Sequence, residues 1–330
     1  MRLVTFRAAR GALRAGALIN EDTRVLDLQT AHRARYGRAS PRLASVLAIA
    51  EGGEAALDLA RSLAAAKRRP KAAVLARAAV KLAAPIPQPP QMRDFLCFEQ
   101  HLLQAFQAAR KLRARAAPDP EAALREMEAK GILAVPQTWY ERPIFYHPNR
   151  FSVCGHEDDV PWPRYCDALD FELEFGCYIG RPGKDIARER ARDHVFGYTI
   201  FNDFSARDEQ TREMPGQLGP GKGKDFDNAN AMGPCLVTAD EIPDPYALEM
   251  KVRVNGEEWG RGSSRDMKWK FEDCIVHVAR SETLHPGEFF GSGTVGNGCG
   301  LEQLRFLRPG DVVELEVERI GVLRNRVVSE

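Results

Sequence analysis

The stretch Phe171-Glu172-Leu173-Glu174-Phe175 alternates apolar and acidic residues. Strict alternation is a strand signature, and a period of two sends Glu172 and Glu174 to one face and the three apolar side chains to the other. Two carboxylates about 7 Å apart along one strand suit a shared cation. They equally suit a solvated acidic face, and the motif alone leaves both readings open. Asn202-Asp203-Phe204-Ser205-Ala206-Arg207-Asp208 follows a predicted strand over 195–201 and sets Asp203 at its end as a third carboxylate. Three carboxylates with no Cys or His nearby in sequence make a hard oxygen site, fitted to Mg²⁺, Mn²⁺ or Ca²⁺ rather than zinc. A plain polar loop is the alternative for this segment.

Further upstream, Phe95, Phe98, Leu102, Phe106 and Ala109 recur at helical spacing, which predicts a helix from 94 to about 115 with Asp94 as its N-cap. On that helix Asp94 and His101, seven residues apart, share a face two turns from one another. A single histidine is as compatible with a packed or surface role as with chemistry. Arg110 falls near the helix end, where the dipole favours a cation whatever the function. Gly219-Pro220-Gly221-Lys222-Gly223-Lys224 is glycine-rich but has neither the spacing nor the Ser/Thr of a Walker loop. A flexible loop carrying a lysine suits a closing lid or an oxyanion contact. Gly291-Ser292-Gly293-Thr294-Val295-Gly296-Asn297-Gly298 permits close approach of backbone to a ligand, and Glu302 follows it. Both loops are also readable as simple turns.

The elements that must position these groups divide the chain in two. Residues 1–90 read as a small α/β unit: short strands over 1–6 and 23–28, and an amphipathic helix over 54–67. Ala84-Pro85-Ile86-Pro87-Gln88-Pro89-Pro90 is a stiff extended connector and marks the boundary. After the 94–115 helix comes a polar, helical insertion over 116–136. Beyond Trp139 the pattern is mostly β, with Asn255-Gly256 predicting a hairpin turn. The chain is thus expected to be α+β, mostly β, with domains at 1–90 and 91–330.

Taken together and in order, RDFLCFEQH, FELEFGCYIG, FNDFSARD, GKGKDFDNANAMGPCLVT, VNGE, GEFFGSGTVGNG and LRPGDVVELEVERIG resemble the catalytic domain of the fumarylacetoacetate hydrolase family over residues 91–320. The resemblance implies a C-terminal fumarylacetoacetase-like mixed β-sandwich roll and a homodimer. It implies that Asp94, Glu172, Glu174 and Asp203 bind a divalent metal, Mg²⁺ first and Mn²⁺ or Ca²⁺ as alternatives. It makes His101 the group that activates water and Glu302 the group that orients it. Lys224 and Arg207 become the groups beside the reacting oxygens, with Asn228 where the fumarylacetoacetase branch has a threonine. Arg110, Tyr146, Gln210 and Thr294 fall at substrate-contacting positions. Leu96 and Met214 stand where fumarylacetoacetase has tyrosines, which removes two phenol donors to the oxygens of a fumarylacetoacetate-like substrate.

The family chemistry is hydrolytic cleavage of a C–C bond in a 1,3-diketo acid, as in the catabolism of aromatic and related compounds. The same scaffold hosts decarboxylases, hydratases and isomerases, and His101 with Glu302 favours the hydrolase among them. A non-catalytic binder is the reading from another class. Composition agrees with a small-molecule enzyme. The 47 basic and 46 acidic residues leave a net charge of +1, without the footprint of a nucleic-acid binder. No run of 18 apolar residues predicts a membrane span. Seven cysteines, an odd number without a CxxC pair, predict free thiols in a reducing cytoplasm.

Overall fold

The computed structural model describes residues 1–8, 11–115 and 117–329. Its centre is the strand Leu173–Ile179, buried at every position. This strand pairs antiparallel with Val195–Asp203 on one side and with Phe289–Gly291 on the other. Phe289–Gly291 pairs parallel with Met92–Phe95, which pairs with Phe145–Tyr146. In the other direction Val195–Asp203 pairs with Asn230–Thr238, and this pairs with Arg2–Ala8. Strands Arg14–Ile19, Arg24–Asp27 and Val74–Ala76 extend the sheet further. The N-terminal strands therefore continue the central sheet. The proline-rich connector runs between the strand Val80–Ala83, which also pairs with Arg2–Ala8, and Met92–Phe95.

The alternation around Phe171 explains how the sheet is covered. Phe171, Leu173, Phe175, Cys177 and Ile179 enter one apolar core, shared with the helix Phe271–Ala279 and a second, five-stranded sheet. That sheet runs Glu257–Ser263, Glu249–Val254, Val312–Val317, Gly321–Val328, Asp159–Pro161. Its first two strands are the predicted hairpin, with Asn255 and Gly256 at φ 53° and 82°. Two positive φ values in succession are the requirement of a type I′ turn. Tyr178, on the opposite face of Leu173–Ile179, joins a second core with Met232 and Phe289. The helices Leu28–Tyr36, Val46–Glu51 and Gly53–Ala64 supply the rest of that core. Both faces of the sheet are packed, and Glu174 and Asp203 are fully buried within it.

Two sequence expectations need correction. Asp94 is not a helix cap: it lies on the strand Met92–Phe95, and the helix runs Glu99–Ala114 with Phe98 at its N-cap position. Pairing with Phe289–Gly291 and Phe145–Tyr146 overrides the helical spacing of Phe95 and Phe98. Asp94 and His101 consequently share no helix face. The predicted single strand over 171–175 is also interrupted. Leu169–Asp170 pairs with Ser205–Ala206, Glu172 makes an isolated bridge to Cys299, and the main ladder starts at Leu173. The polar insertion does contain a helix, Pro120–Ala129, capped by Asp119; its residue 116 lies outside the described residues.

Phe175 packs edge-on against Phe271 and next to Tyr198 in the first core. Phe175→Ala leaves a cavity there and is expected to lower the unfolding free energy by about 3–5 kcal/mol, read from urea denaturation followed by near-UV circular dichroism.

Candidate active site

Neighbouring strands of the central sheet bring three carboxylates to one point. Glu174 comes from the middle strand and Asp203 from the end of Val195–Asp203. Asp94 lies two strands away on the other side, opposite Gly291. One carboxylate oxygen from each lies within 4.8 Å of the other two, and all three residues are buried. Gly291 makes this approach possible: a Cβ there would lie 2.3 Å from Asp94 Oδ1. Gly293 has φ +73° and its N–H donates to Asp94 Oδ1 at 3.3 Å. Arg93, the neighbour of Asp94, pairs with Glu288 and Glu282 and fixes this strand beside 289–291.

The surrounding donors satisfy only part of the cluster. Tyr146 Oη donates to Asp203 Oδ2 at 2.7 Å, and Thr294 Oγ1 donates to Glu174 Oε1 at 3.4 Å. Lys224 Nζ lies 2.6 Å from Asp203 Oδ2 and 2.5 Å from Glu172 Oε2. Glu174 Oε2 and Asp203 Oδ1 are buried with no donor in reach. Buried polar atoms in proteins are otherwise almost always partnered. Two orphaned, hard, anionic oxygens beside a third carboxylate fit a divalent cation with oxygen preference. Asp94, Glu174 and Asp203 are the residues that could hold it, with Glu172 adjacent.

Electrostatics agree. Burial, followed by the neighbouring carboxylates, raises Asp94 and Glu174 well above the usual carboxylate range. Burial lifts Asp203 to about 6 even against the charge of Lys224. Glu172 behaves oppositely: burial is overcome by Lys224 and Arg207, which hold it below the usual range. Lys224 is in turn raised, because Asp203 and Glu172 outweigh its own desolvation.

Arg207 begins the helix Arg207–Glu213 and is itself buried. Its Nη2 lies 2.8 Å from Glu172 Oε1, its Nη1 donates to Gln210 Oε1 at 2.9 Å, and its Nε donates to Asp170 Oδ2 at 2.8 Å. Asp170 is the residue that the sequence reading missed. It also accepts the backbone N–H groups of Phe171, Gly300 and Leu301 at 2.7–2.9 Å. Its signal was present: Asp170, Glu172 and Glu174 continue one period-two acidic series. Through Gly300 and Leu301, Asp170 positions the short helix Gly300–Gln303, which carries Glu302. Glu302 Oε2 accepts the Cys299 N–H at 3.2 Å, and its Oε1 lies 2.9 Å from His101 Nδ1.

Of the sequence-predicted residues, Asp94, Glu172, Glu174, Asp203, Tyr146, Thr294, Lys224, Arg207 and Gln210 meet in this network. His101 and Glu302 form a buried pair alongside it. Arg110 is elsewhere: its Nη1 donates to the carbonyls of Leu133 at 2.9 Å and Ile132 at 3.4 Å, so it holds the insertion against the His101 helix. Asn228 donates to the Asp159 carbonyl. Met214 is half exposed, and Leu96 gives its carbonyl to Trp139 Nε1 at 2.7 Å.

A divalent cation bound by this cluster stabilises the fold by about 2.7 kcal/mol at a hundredfold excess over Kd. Mg²⁺ or Mn²⁺ is therefore expected to raise Tm by a few degrees, and Glu174→Gln to abolish the rise, as measured by differential scanning fluorimetry. Binding must expel the protons that burial favours on Asp94, Glu174 and Asp203. Apparent affinity should thus fall as pH drops through about 6, where Asp203 protonates, by up to roughly tenfold per pH unit for each proton displaced. Titration calorimetry in two buffers of different ionisation enthalpy reads the proton release; equal heats in both buffers would contradict it.

Comparison with known proteins bears on the whole chain. The chain is 31% identical over 316 residues to oxaloacetate tautomerase YisK of Bacillus subtilis, covering 94% of this chain and 95% of that protein. It is 38% identical over 189 residues to the human mitochondrial oxaloacetate tautomerase FAHD2A, covering 57% of this chain and 60% of that one. The fold matches the solved fumarylacetoacetate hydrolase of Exiguobacterium antarcticum with a TM-score of 0.72 at 24% identity, over the full length of both chains. The family model for the fumarylacetoacetate hydrolase C-terminal region matches residues 94–328, which begins at Asp94 and takes in every residue of the network above, and the chain belongs to the fumarylacetoacetate hydrolase family.

Proposed function

We propose that this protein is a metal-dependent enzyme that interconverts the keto and enol forms of a short 2-oxo dicarboxylic acid of the oxaloacetate type. The observation that carries the reading is the His101–Glu302 pair set beside a buried carboxylate cluster with orphaned oxygens. The YisK relative, matched over nearly the whole chain, is named for this reaction. Mg²⁺ is the proposed ion, held by Asp94, Glu174 and Asp203 with Glu172 adjacent. When bound, it would act as a Lewis acid toward the 2-oxo carboxylate and lower the cost of negative charge on its oxygens.

The chain's own groups then move the proton. The Glu302 carboxylate accepts from His101, so Nδ1 carries the hydrogen and Nε2 is free as a base. His101 Nε2 removes the proton next to the 2-oxo group and can return it to the enolate oxygen, or the reverse. Glu302 is itself fixed by the Cys299 N–H and stabilises the imidazolium while the proton is in transit. Arg207 and Lys224 place two buried positive charges beside the reaction centre and favour the dianionic substrate. Tyr146 and Thr294 hold Asp203 and Glu174 in place, leaving Gln210 to orient Arg207.

Hydrolytic C–C cleavage is the second reading, favoured by the same pair: a base oriented by a carboxylate can take its proton from water as readily as from carbon. The two reactions share the enolate and differ in whether water reaches the carbonyl. In this reading the enzyme works as a homodimer in the cytoplasm on small diketo acids.

The test follows the decay of enol absorbance of oxaloacetate, and its C3 hydrogen exchange in D₂O by NMR, with Mg²⁺, Mn²⁺ or Ca²⁺ and with EDTA. Metal-dependent acceleration is expected. His101→Ala should cut kcat by about 10²–10⁴-fold while preserving the metal-induced rise in Tm. Full activity in His101→Ala would remove the proton-transfer role. Metal-dependent formation of two carboxylic acids from acylpyruvates, without acceleration on oxaloacetate, would establish the hydrolase instead.

A further inference from the structure

A second group of metal-ligating side chains lies next to the carboxylate cluster, and its chemistry is different. One ligand atom each from His101, Cys299 and Glu302 lies within 4.8 Å of the other two. Cys299 is fully buried, and the side chains of His101 and Glu302 are nearly so. We propose that these three residues form a distinct inhibitory metal site, selective for a borderline or soft divalent cation of the zinc class, that captures the catalytic base when occupied.

The donor set decides the selectivity. Nitrogen, thiolate and one carboxylate are the ligands that zinc takes at about 2.0–2.3 Å. Adjacent ligands of a tetrahedral zinc then lie roughly 3.5 Å apart, so ligand atoms already within 4.8 Å of one another need close by no more than about 1.3 Å. The His101–Glu302 contact of 2.9 Å already shows that the two can approach more closely than this. Mg²⁺ and Ca²⁺ take neither thiolate nor imidazole readily, so the hard cluster and the soft triad select different ions. Charge is matched as well: a thiolate and a carboxylate neutralise the ion, leaving the fourth position for water or substrate.

The thiol at Cys299 is otherwise unexplained. The mechanism above uses only its backbone N–H, and its Sγ accepts the N–H of Glu302. Burial, with the charges of Glu302 and Asp170, favours the protonated thiol in the metal-free protein. Zinc binding therefore replaces the S–H proton with an S–Zn bond and releases that proton to solvent. Zinc on His101 Nδ1, the nitrogen that faces Glu302, moves the ring hydrogen to Nε2, which then has no lone pair to act as a base, and no oxidant or reductant is involved. Access is no obstacle, because a substrate that reaches His101 passes the same way.

The existence of the site rests on the three side chains alone; its inhibitory effect rests on the proposed role of the His101–Glu302 pair. The test uses the full chain saturated with Mg²⁺. Cd²⁺ serves as the spectroscopic probe and Zn²⁺ as the inhibitor, and Cys299→Ser is the variant. The wild type should develop an ultraviolet thiolate-to-cadmium band that saturates at one equivalent, and Cys299→Ser should not. Zn²⁺ should inhibit the wild type without relief by further Mg²⁺. Cys299→Ser, with inhibition measured relative to its own zinc-free rate, should need at least tenfold more Zn²⁺. Should Cys299→Ser fail to fold, Cys299→Ala takes its place. An identical cadmium band in wild type and variant, or inhibition relieved by Mg²⁺ and unchanged in the variant, would overturn the site. A Cys299-dependent band with no loss of activity would uphold the site and instead remove His101 and Glu302 from the proposed chemistry.

Discussion

Burying like charges is the constraint around which this molecule is built. Asp94, Asp170, Glu172, Glu174 and Asp203 are all withdrawn from water in one neighbourhood. Only Lys224 and Arg207 among the described residues ion-pair with members of this group. A carboxylate in such a place must be paired, hydrogen-bonded, protonated or bound to a metal. Three of these solutions are visible side by side. Glu172 is ion-paired and driven toward its charged form. Asp170 is saturated by three backbone N–H groups and a guanidinium. Asp94, Glu174 and Asp203 are left with proton affinities pushed up by burial, and Glu174 and Asp203 each keep an unpartnered oxygen, which is the state a divalent cation relieves.

That constraint also determines which segments must be in place together. Lys224 enters from the glycine-rich loop, Arg207 from the helix after Val195–Asp203, and Asp94 from a strand more than a hundred residues earlier in the chain. Asp170 joins the metal side to the base side, since it holds Arg207 by one edge and the start of the Glu302 helix by its backbone. The loss of Asp170 would leave a buried guanidinium short of a partner and three N–H groups unmet. Its importance is thus electrostatic and positional at once, without any contact to a reacting atom.

The carboxylates were legible in the sequence because period-two alternation is a local property: Glu172, Glu174 and the end-of-strand Asp203 needed only their neighbours to be read. The sequence could not choose between a shared cation and a solvated face. That choice depends on what meets the carboxylates, and Tyr146, Lys224 and Thr294 come from segments distant in the chain. Asp94 was identified through resemblance but assigned to the wrong element, because helical spacing of Phe95 and Phe98 is local whereas pairing with Phe289–Gly291 is not. Asp170 escaped notice although it extends the same alternation. Its partners, Arg207 and the backbone of Gly300 and Leu301, are distant in sequence, and only the fold shows that it has them. Arg110 was read as a substrate group from its place in the family pattern. In the structure its Nη1 donates to the carbonyls of Leu133 and Ile132 in the insertion.

The site divides its work between rigid and adjustable parts. Metal-competent carboxylates stand on three strands of one sheet, where ladder hydrogen bonds fix each Cα and leave only side-chain rotation. The base pair stands on helices: His101 in the first turn of Glu99–Ala114, Glu302 in a four-residue helix. The His101 helix has no side-chain cap. It is held from outside by Arg110 to the insertion and by Tyr140 Oη to Glu99 at 2.6 Å, while Trp139 anchors the chain just before it through Leu96. Such contacts fix the position of His101 through segments that can differ between relatives without disturbing the sheet. In the proposed chemistry, enolate stabilisation is therefore set by the sheet. In the same proposal, whether the proton comes from carbon or from water depends on the loops and helices that place His101. Members of one family can then share a metal cluster and carry different reactions.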